Sequence, residues 1–308
     1  MHAAPALPVR ARVNISDPLE VSADLDLARL TLFIGPNLNG KSLVLRCIYT
    51  ALKGEKYNLS LSFRGVEGCE VDSEADYVLY ADPYMVTYYL YDKYRKYFES
   101  AEPEEGLSGL AEIGRDVRGP IDNLLDFKSL IRDEDLKDAL DEEGEALNEI
   151  RKELSEVGHE EEYKYLLPLT VSVTRRGLEW RDAFGDKGDS VTDVTPFFYP
   201  AFVVTAAVYA YAMSKESRVV LLLDEPEAFS YPSSAYAMGR IFRHLTGRSA
   251  NLYVIAVTHS WDLFAGAYRG GAEWVKVYTY RREGRKVAVE PLRDDLYIPG
   301  FSVSALLR

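Results

Sequence analysis

Leu30-Thr-Leu-Phe-Ile34 runs directly into Gly35-Pro-Asn-Leu-Asn-Gly40-Lys41-Ser42, and this junction decides how the rest of the chain is read. The apolar run predicts a short strand, and Lys41 to Leu52 has the composition of a helix. Between them the spacing is GxxxxGK[ST], a loop whose glycines let successive N–H groups turn inward toward phosphate oxygens. The start of the following helix adds the positive end of its dipole. Lys41 is expected to reach the β- and γ-phosphates of a nucleoside triphosphate, and the Ser42 hydroxyl to ligate Mg²⁺. The nucleotide-binding set is therefore Gly35, Pro36, Asn37, Leu38, Asn39, Gly40, Lys41, Ser42 and Leu43.

Two further apolar runs end in chemistry. Val219-Val-Leu-Leu-Leu223 consists of branched aliphatics only, which suits a strand buried on both faces of a parallel sheet, and it ends in Asp224-Glu225-Pro226. Two carboxylates then stand at the carboxyl edge of the sheet, where open α/β folds bind ligands. Asp224 is the expected second Mg²⁺ ligand and Glu225 the group that polarises an attacking water. Val254-Ile-Ala-Val257 leads to Thr258-His259-Ser260. A lone histidine at a strand end is more often structural than catalytic. This one follows a strand expected beside the Asp224 strand, within reach of the γ-phosphate or the water.

The ordered set GPNLNGKS, LLLDEPEAF and VTHS resembles the ATPases of the ABC class, especially the soluble SMC-like and "AAA-domain" branch whose second motif reads DEPE. The resemblance covers roughly residues 9–54 and 190–265. It implies an α/β P-loop core with an N-terminal antiparallel β subdomain, ATP and Mg²⁺ as ligands, and a homodimer sandwiching the nucleotide, or another partner protein. It also implies catalytic roles for Glu225 and His259. Two departures stand out. Where the family has a Ser-Gly pair at a helix start, this chain reads Asp193-Val-Thr195-Pro-Phe. The family's Mg²⁺-contacting glutamine has no counterpart, because the chain contains no Gln; Asp82 and Asp92 are the substitutes, although each reads more simply as a surface carboxylate.

Among 308 residues, 47% are hydrophobic and 28% charged, enough for one large domain with an insertion. The net charge of −13 is uneven: residues 132–162 hold fourteen acidic and four basic side chains. That run reads as a solvated face and argues little about nucleic-acid binding. Leu147, Ile150, Leu154 and Val157 recur at helical steps, so 88–167 is expected as an acidic helical insertion between core halves 1–87 and 168–308. Strands are also expected at 59–63, 77–80, 169–180, 274–280 and 286–289, a helix at 233–245 ended by Gly247, and a buried helix over 201–213.

Cys47 and Cys69 lack metal-ligand spacing, and Cys47 reads as a buried thiol. Two cysteines without a CxxC pair point to a reducing, cytoplasmic setting, and there is no signal-like segment in residues 1–8 and no apolar stretch long enough for a transmembrane segment. Tyr84, Tyr88, Tyr91, Tyr94 and Tyr97, interleaved with Lys93, Arg95 and Lys96, offer a base-stacking surface. An amphipathic helix covering the core is the plainer account. The function expected is Mg²⁺-dependent ATP hydrolysis driving a conformational switch, in DNA repair or genome maintenance. The alternatives are a nucleotide-gated scaffold with little turnover and the ATP-binding subunit of a membrane transporter.

Overall fold

The computed structural model describes residues 9–53, 68–83, 124, 126–174, 177–189, 195–269, 272–292, 297–298 and 301–302. The strand expected at 59–63, the tyrosines at 84–97 and Asp92 lie outside them.

A nine-stranded sheet organises the chain, in the order β4-β1-β2-β12-β11-β3-β10-β9-β5. Its centre is β3 (Leu30–Ile34), β9 (Val219–Asp224) and β10 (Leu252–Thr258), each buried along its whole length. These pair in parallel with one another, with β5 (Tyr77–Ala81) and with β11 (Val275–Glu283), so five carboxyl ends share one edge. Alternation sends neighbouring residues to opposite faces. Leu221 and Leu223 join the cluster beneath the long helices, while Val220 and Leu222 join the one beneath α1 (Lys41–Lys53).

The other end of the sheet is antiparallel except for a short parallel contact between β12 and β2. β1 (Val9–Ile15) pairs with β2 (Glu20–Leu27) and with β4 (Cys69–Val71), and β11 turns back into β12 (Lys286–Pro291). Along β1 the burial alternates strictly, the pattern of a sheet with one wet face. Here the structure corrects one expectation. Cys47 of α1 and Cys69 of β4 form a disulfide with Cα atoms 5.5 Å apart. The bond ties the helix behind the phosphate loop to the outermost strand. Buried Cys47 is thus not a thiol, and the argument from reduced cysteines to a cytoplasmic setting falls away.

On the opposite face lie α2 (Asp133–Glu156), α3 (Thr195–Met213), α4 (Pro232–Arg248) and α5 (Trp261–Tyr268). A small sheet of β6 (Leu169–Thr174), β7 (Gly177–Asp182) and β8 (Lys187–Gly188) packs on α3, where the Thr205 hydroxyl donates to the Val171 carbonyl at 3.0 Å. Helix α3 begins six residues before the expected 201 and runs through Pro200. Helix α4 likewise continues past Gly247, where a side chain would press on the Trp274 ring. α4 and α5 cross at Gly239 and Gly266, each against backbone of the other helix, so neither position has room for a Cβ. Among the described residues, no helix is long and apolar enough to cross a membrane.

α2 departs from its expected pattern. Ala139, Ala146 and Ile150 are its buried residues, Leu147 and Leu154 flank them, and Val157 lies past the helix end, 67% exposed. Nor is its acidic side simply solvated. Glu149 and Glu153 bind the Arg240 guanidinium at 2.8 and 2.9 Å, Glu142 lies 2.6 Å from His244, and Arg248 joins Glu142 and Glu145.

Candidate functional site

The site is built where β3, β9, β10 and β5 end together. After β3 the chain enters the loop 35–40, in which Gly40 (φ +79°) takes a left-handed backbone that favours glycine, and Leu38 (φ +64°) forms the exposed crown. Asn39 holds the loop to the Tyr280 carbonyl at 3.3 Å, and Arg282 donates to the Leu38 carbonyl at 2.6 Å. Lys41 is buried, its Nζ donating to the carbonyls of Gly35 (3.0 Å) and Pro36 (2.7 Å) inside the loop. Burial brings its ammonium down to about 8, against the pull of Asp224, Glu225 and Glu227. The Leu43 side chain is buried in the core beneath α1, leaving only its backbone for a ligand.

Ser42 and Asp224, 182 positions apart, meet here: the hydroxyl donates to Asp224 Oδ1 at 2.9 Å. Burial pushes the Asp224 carboxyl above its usual range, opposed by the Ser42 hydrogen bond and the nearby Arg46 charge. A hydroxyl and a buried carboxylate side by side form the hard-oxygen donor set that suits Mg²⁺. Tyr80 lies behind them, 3.5 Å from Asp224 Oδ2 and 3.3 Å from Arg46 Nε. Asp82 follows β5, beside the end of β9, and is 1% exposed; it is no surface carboxylate.

Glu225 has φ +45°, a conformation that costs a non-glycine residue about 1–2 kcal/mol. Its N–H donates to the Val257 carbonyl at 2.9 Å, and its Oε1 lies 3.1 Å from His259 Nε2. The hydrogen bond from His259 holds the Glu225 carboxyl below its usual range, burial opposing it. Every residue singled out by the three motifs is therefore at one sheet edge.

Sequence reasoning missed two residues there. Glu227 is partly exposed as a residue but its carboxylate is turned inward, and its Oε1 accepts from the Thr258 hydroxyl (2.6 Å), His259 N (3.0 Å) and Ser260 N (3.0 Å). It binds the segment carrying His259 to the turn after β9. The signal was present in Asp-Glu-Pro-Glu, whose last residue was read only as part of a motif. Tyr199 of α3 is fully buried, and its hydroxyl donates to the Asp224 carbonyl at 2.7 Å. Nothing in the apolar run 197–213 marks that tyrosine out. Thr195, where the family's serine would fall, is the first residue of α3.

No protein-family profile matches the chain, and no curated protein matches it by sequence. Solved structures do. An SmcHead bound to the C-winged helix domain of ScpA superposes with a TM-score of 0.50 at 11% identity, covering 95% of this chain and 98% of that one. An Smc head domain with an extended coiled coil, bound to the C-terminal domain of ScpA derived from Pyrococcus furiosus, gives 0.46 at 12% identity, with 93% and 96% covered. UvrA2 from Deinococcus radiodurans gives 0.44 at 14%, with 100% of this chain and 40% of that one covered. At such identities the likeness is one of architecture, and what it establishes is that this chain has the α/β P-loop fold of the ABC type, in the form seen in the SmcHead.

Proposed function

We propose that the protein binds ATP with Mg²⁺ at the edge of β3, β9 and β10 and hydrolyses it, using the nucleotide as a conformational switch on a partner. The observation that carries this reading is the convergence of Lys41, Ser42, Asp224, Glu225 and His259 from three separate segments. Ser42 and Asp224 would hold the cation, which would neutralise phosphate charge. Lys41, already surrounded by the loop it would share with the phosphates, exchanges two carbonyl partners for phosphate oxygens. Glu225, held as a carboxylate by His259, accepts a hydrogen bond from the attacking water and orients it. His259 faces the same water and the γ-phosphate, so it registers whether the triphosphate is intact.

A second reading is a nucleotide-gated scaffold with little turnover. It draws on the start of α3 at Thr195-Pro196, without the Ser-Gly pair, and on the missing glutamine. Phosphate release separates the two. Turnover abolished by both Lys41→Ala and Glu225→Gln supports hydrolysis; wild-type release equal to that of Glu225→Gln, with ATP still bound, supports the scaffold. An ATP-dependent increase in size for Glu225→Gln would support a nucleotide sandwich between two copies. DNA-dependent stimulation of release would support a role in genome maintenance.

A further inference from the structure

The peptide unit between Asp224 and Glu225 joins the expected metal ligand to the expected catalytic carboxylate, and it is clamped from two sides. Its carbonyl accepts the Tyr199 hydroxyl at 2.7 Å. Its N–H donates to the Val257 carbonyl of β10 at 2.9 Å. One residue on, the Glu225 carbonyl accepts the Ala228 N–H, also at 2.9 Å, so the left-handed φ of Glu225 is fixed by bonds on both flanks. Two of these bonds come from backbone that the sheet and the turn supply in any case. The third comes from a side chain on a separate helix.

That helix lacks one of its own hydrogen bonds near its start. α3 begins at Thr195, and Pro200 supplies no N–H to the Pro196 carbonyl. Tyr199 stands immediately before Pro200. Its phenol is entirely buried, and its hydroxyl is the donor in the 2.7 Å bond to the Asp224 carbonyl. A phenylalanine would fill the same volume, so the hydroxyl is there for the Asp224 carbonyl.

We infer that Tyr199 is a positioning residue for Glu225: its hydroxyl ties the N-terminal part of α3 to the Asp224–Glu225 peptide and so sets where the Glu225 carboxylate stands relative to His259. A displacement of the α3 start is then transmitted to Glu225 through one hydrogen bond. The catalytic meaning of that link rests on the hydrolase reading above; the link itself does not.

Tyr199→Phe tests it with two readouts. In turnover, kcat falls about tenfold to a hundredfold, the range that a misplacement of about 1 Å produces, while KM and the affinity for a fluorescent ATP analogue stay within twofold. In ¹⁵N spectra of histidine-labelled protein, the His259 imidazole signal, assigned by its loss in His259→Asn, moves toward its position in Glu225→Gln. A His259 signal that stays at the wild-type position in Tyr199→Phe overturns the inference, whatever the rates do. If wild-type phosphate release is insensitive to Glu225→Gln, the hydrolase reading fails, and the imidazole signal still decides the role of Tyr199. Should Tyr199→Phe not fold, the wild type provides the test. A hydroxyl proton held in this bond exchanges slowly enough to be seen and assigned to the Tyr199 ring, and one that exchanges too fast to be seen overturns the inference.

Discussion

Two parts of this molecule are rich in charge, and they are built in opposite ways. At the sheet edge, acidic groups are few and their partners are mostly fixed: Glu227 accepts two backbone N–H groups and one hydroxyl, and Asp224 accepts a serine that follows the phosphate loop. Along α2 and α4 the charges are many, and each pair joins two long side chains, with Arg240 and His244 largely covered and most of their carboxylate partners open to solvent. Backbone donors lose no side-chain entropy on pairing and keep their geometry, whereas surface ion pairs do lose it and are screened by salt. The difference teaches that the fourteen carboxylates of residues 132–162 count for less than the one at Glu227.

The sharpest way to break this contrast is to remove Glu227. Glu227→Ala leaves the Thr258 hydroxyl and the His259 N–H without their acceptor, at a cost of about 1–3 kcal/mol for each that stays buried and unpaired, while the Ser260 N–H keeps the Thr258 hydroxyl oxygen at 2.9 Å. The expected result is phosphate release reduced on the order of a hundredfold, with His259 no longer held. Glu227→Gln keeps an acceptor oxygen and should retain most of the activity. Equal losses in the two variants would show that the charge, not the acceptor, is what matters.

The disulfide gives the next effect. Cys47→Ser opens a link across 22 positions between α1 and β4, worth about 3 kcal/mol for a loop of that size. The measurement is the urea midpoint of unfolding, with and without reductant. Wild type with reductant should fall to the level of Cys47→Ser, and a reductant effect that persists in the variant would place the stabilisation elsewhere.

How legible each region was follows from the same physics. The phosphate loop, the Asp224-Glu225 pair and Thr258-His259 each lie in one contiguous segment, and an apolar strand announces each of them. The strands β3, β9 and β10 could be read for the same reason, since full burial writes an unbroken apolar run. What escaped depends on residues far apart in the chain. Arg240 and Glu153 meet only if α2 lies along α4, and no local pattern says so. Cys47 and Cys69 meet only if β4 lies outside β1. The end of α4 is not legible either, because Gly247 looks like a terminator while its lack of a side chain makes room for Trp274.

Within α2 itself, Glu143 separates burial from pairing. It shares a face with Ala139 and Ala146, and burial pushes its carboxyl up to about 7. A folded-state value above the unfolded one of about 4.3 means that ionising Glu143 destabilises the fold. Stability should decline as pH rises from about 4 through 7 and level off above. Glu143→Gln should gain about 1–3 kcal/mol at pH 8 and flatten that decline, as read from thermal midpoints across pH. A variant no more stable than wild type at pH 8 would mean that the carboxylate reaches water.

Ten residues along the same helix, Glu153 should show the opposite sign. Burial opposes its ionisation, but hydrogen bonds from Arg240 and Arg269 outweigh that and hold the carboxyl below its usual range. A depressed value contributes stability that is present above the unfolded value of about 4.3 and is lost as pH falls through the folded one. Arg240 is covered at 10% exposure, but Glu153 is 35% and Arg269 56% exposed, so solvent screening limits the contribution to about 1 kcal/mol. Glu153→Gln should therefore be slightly less stable than wild type at pH 7, by an amount that shrinks in high salt and vanishes in acid. Its turnover should be unchanged, since the α2–α4 face lies apart from the Asp224–Glu225 edge. If Glu153→Gln cost as much as Glu227→Ala, or slowed phosphate release without unfolding, the charged helix face would be part of the site and not merely packed beside the domain that carries it.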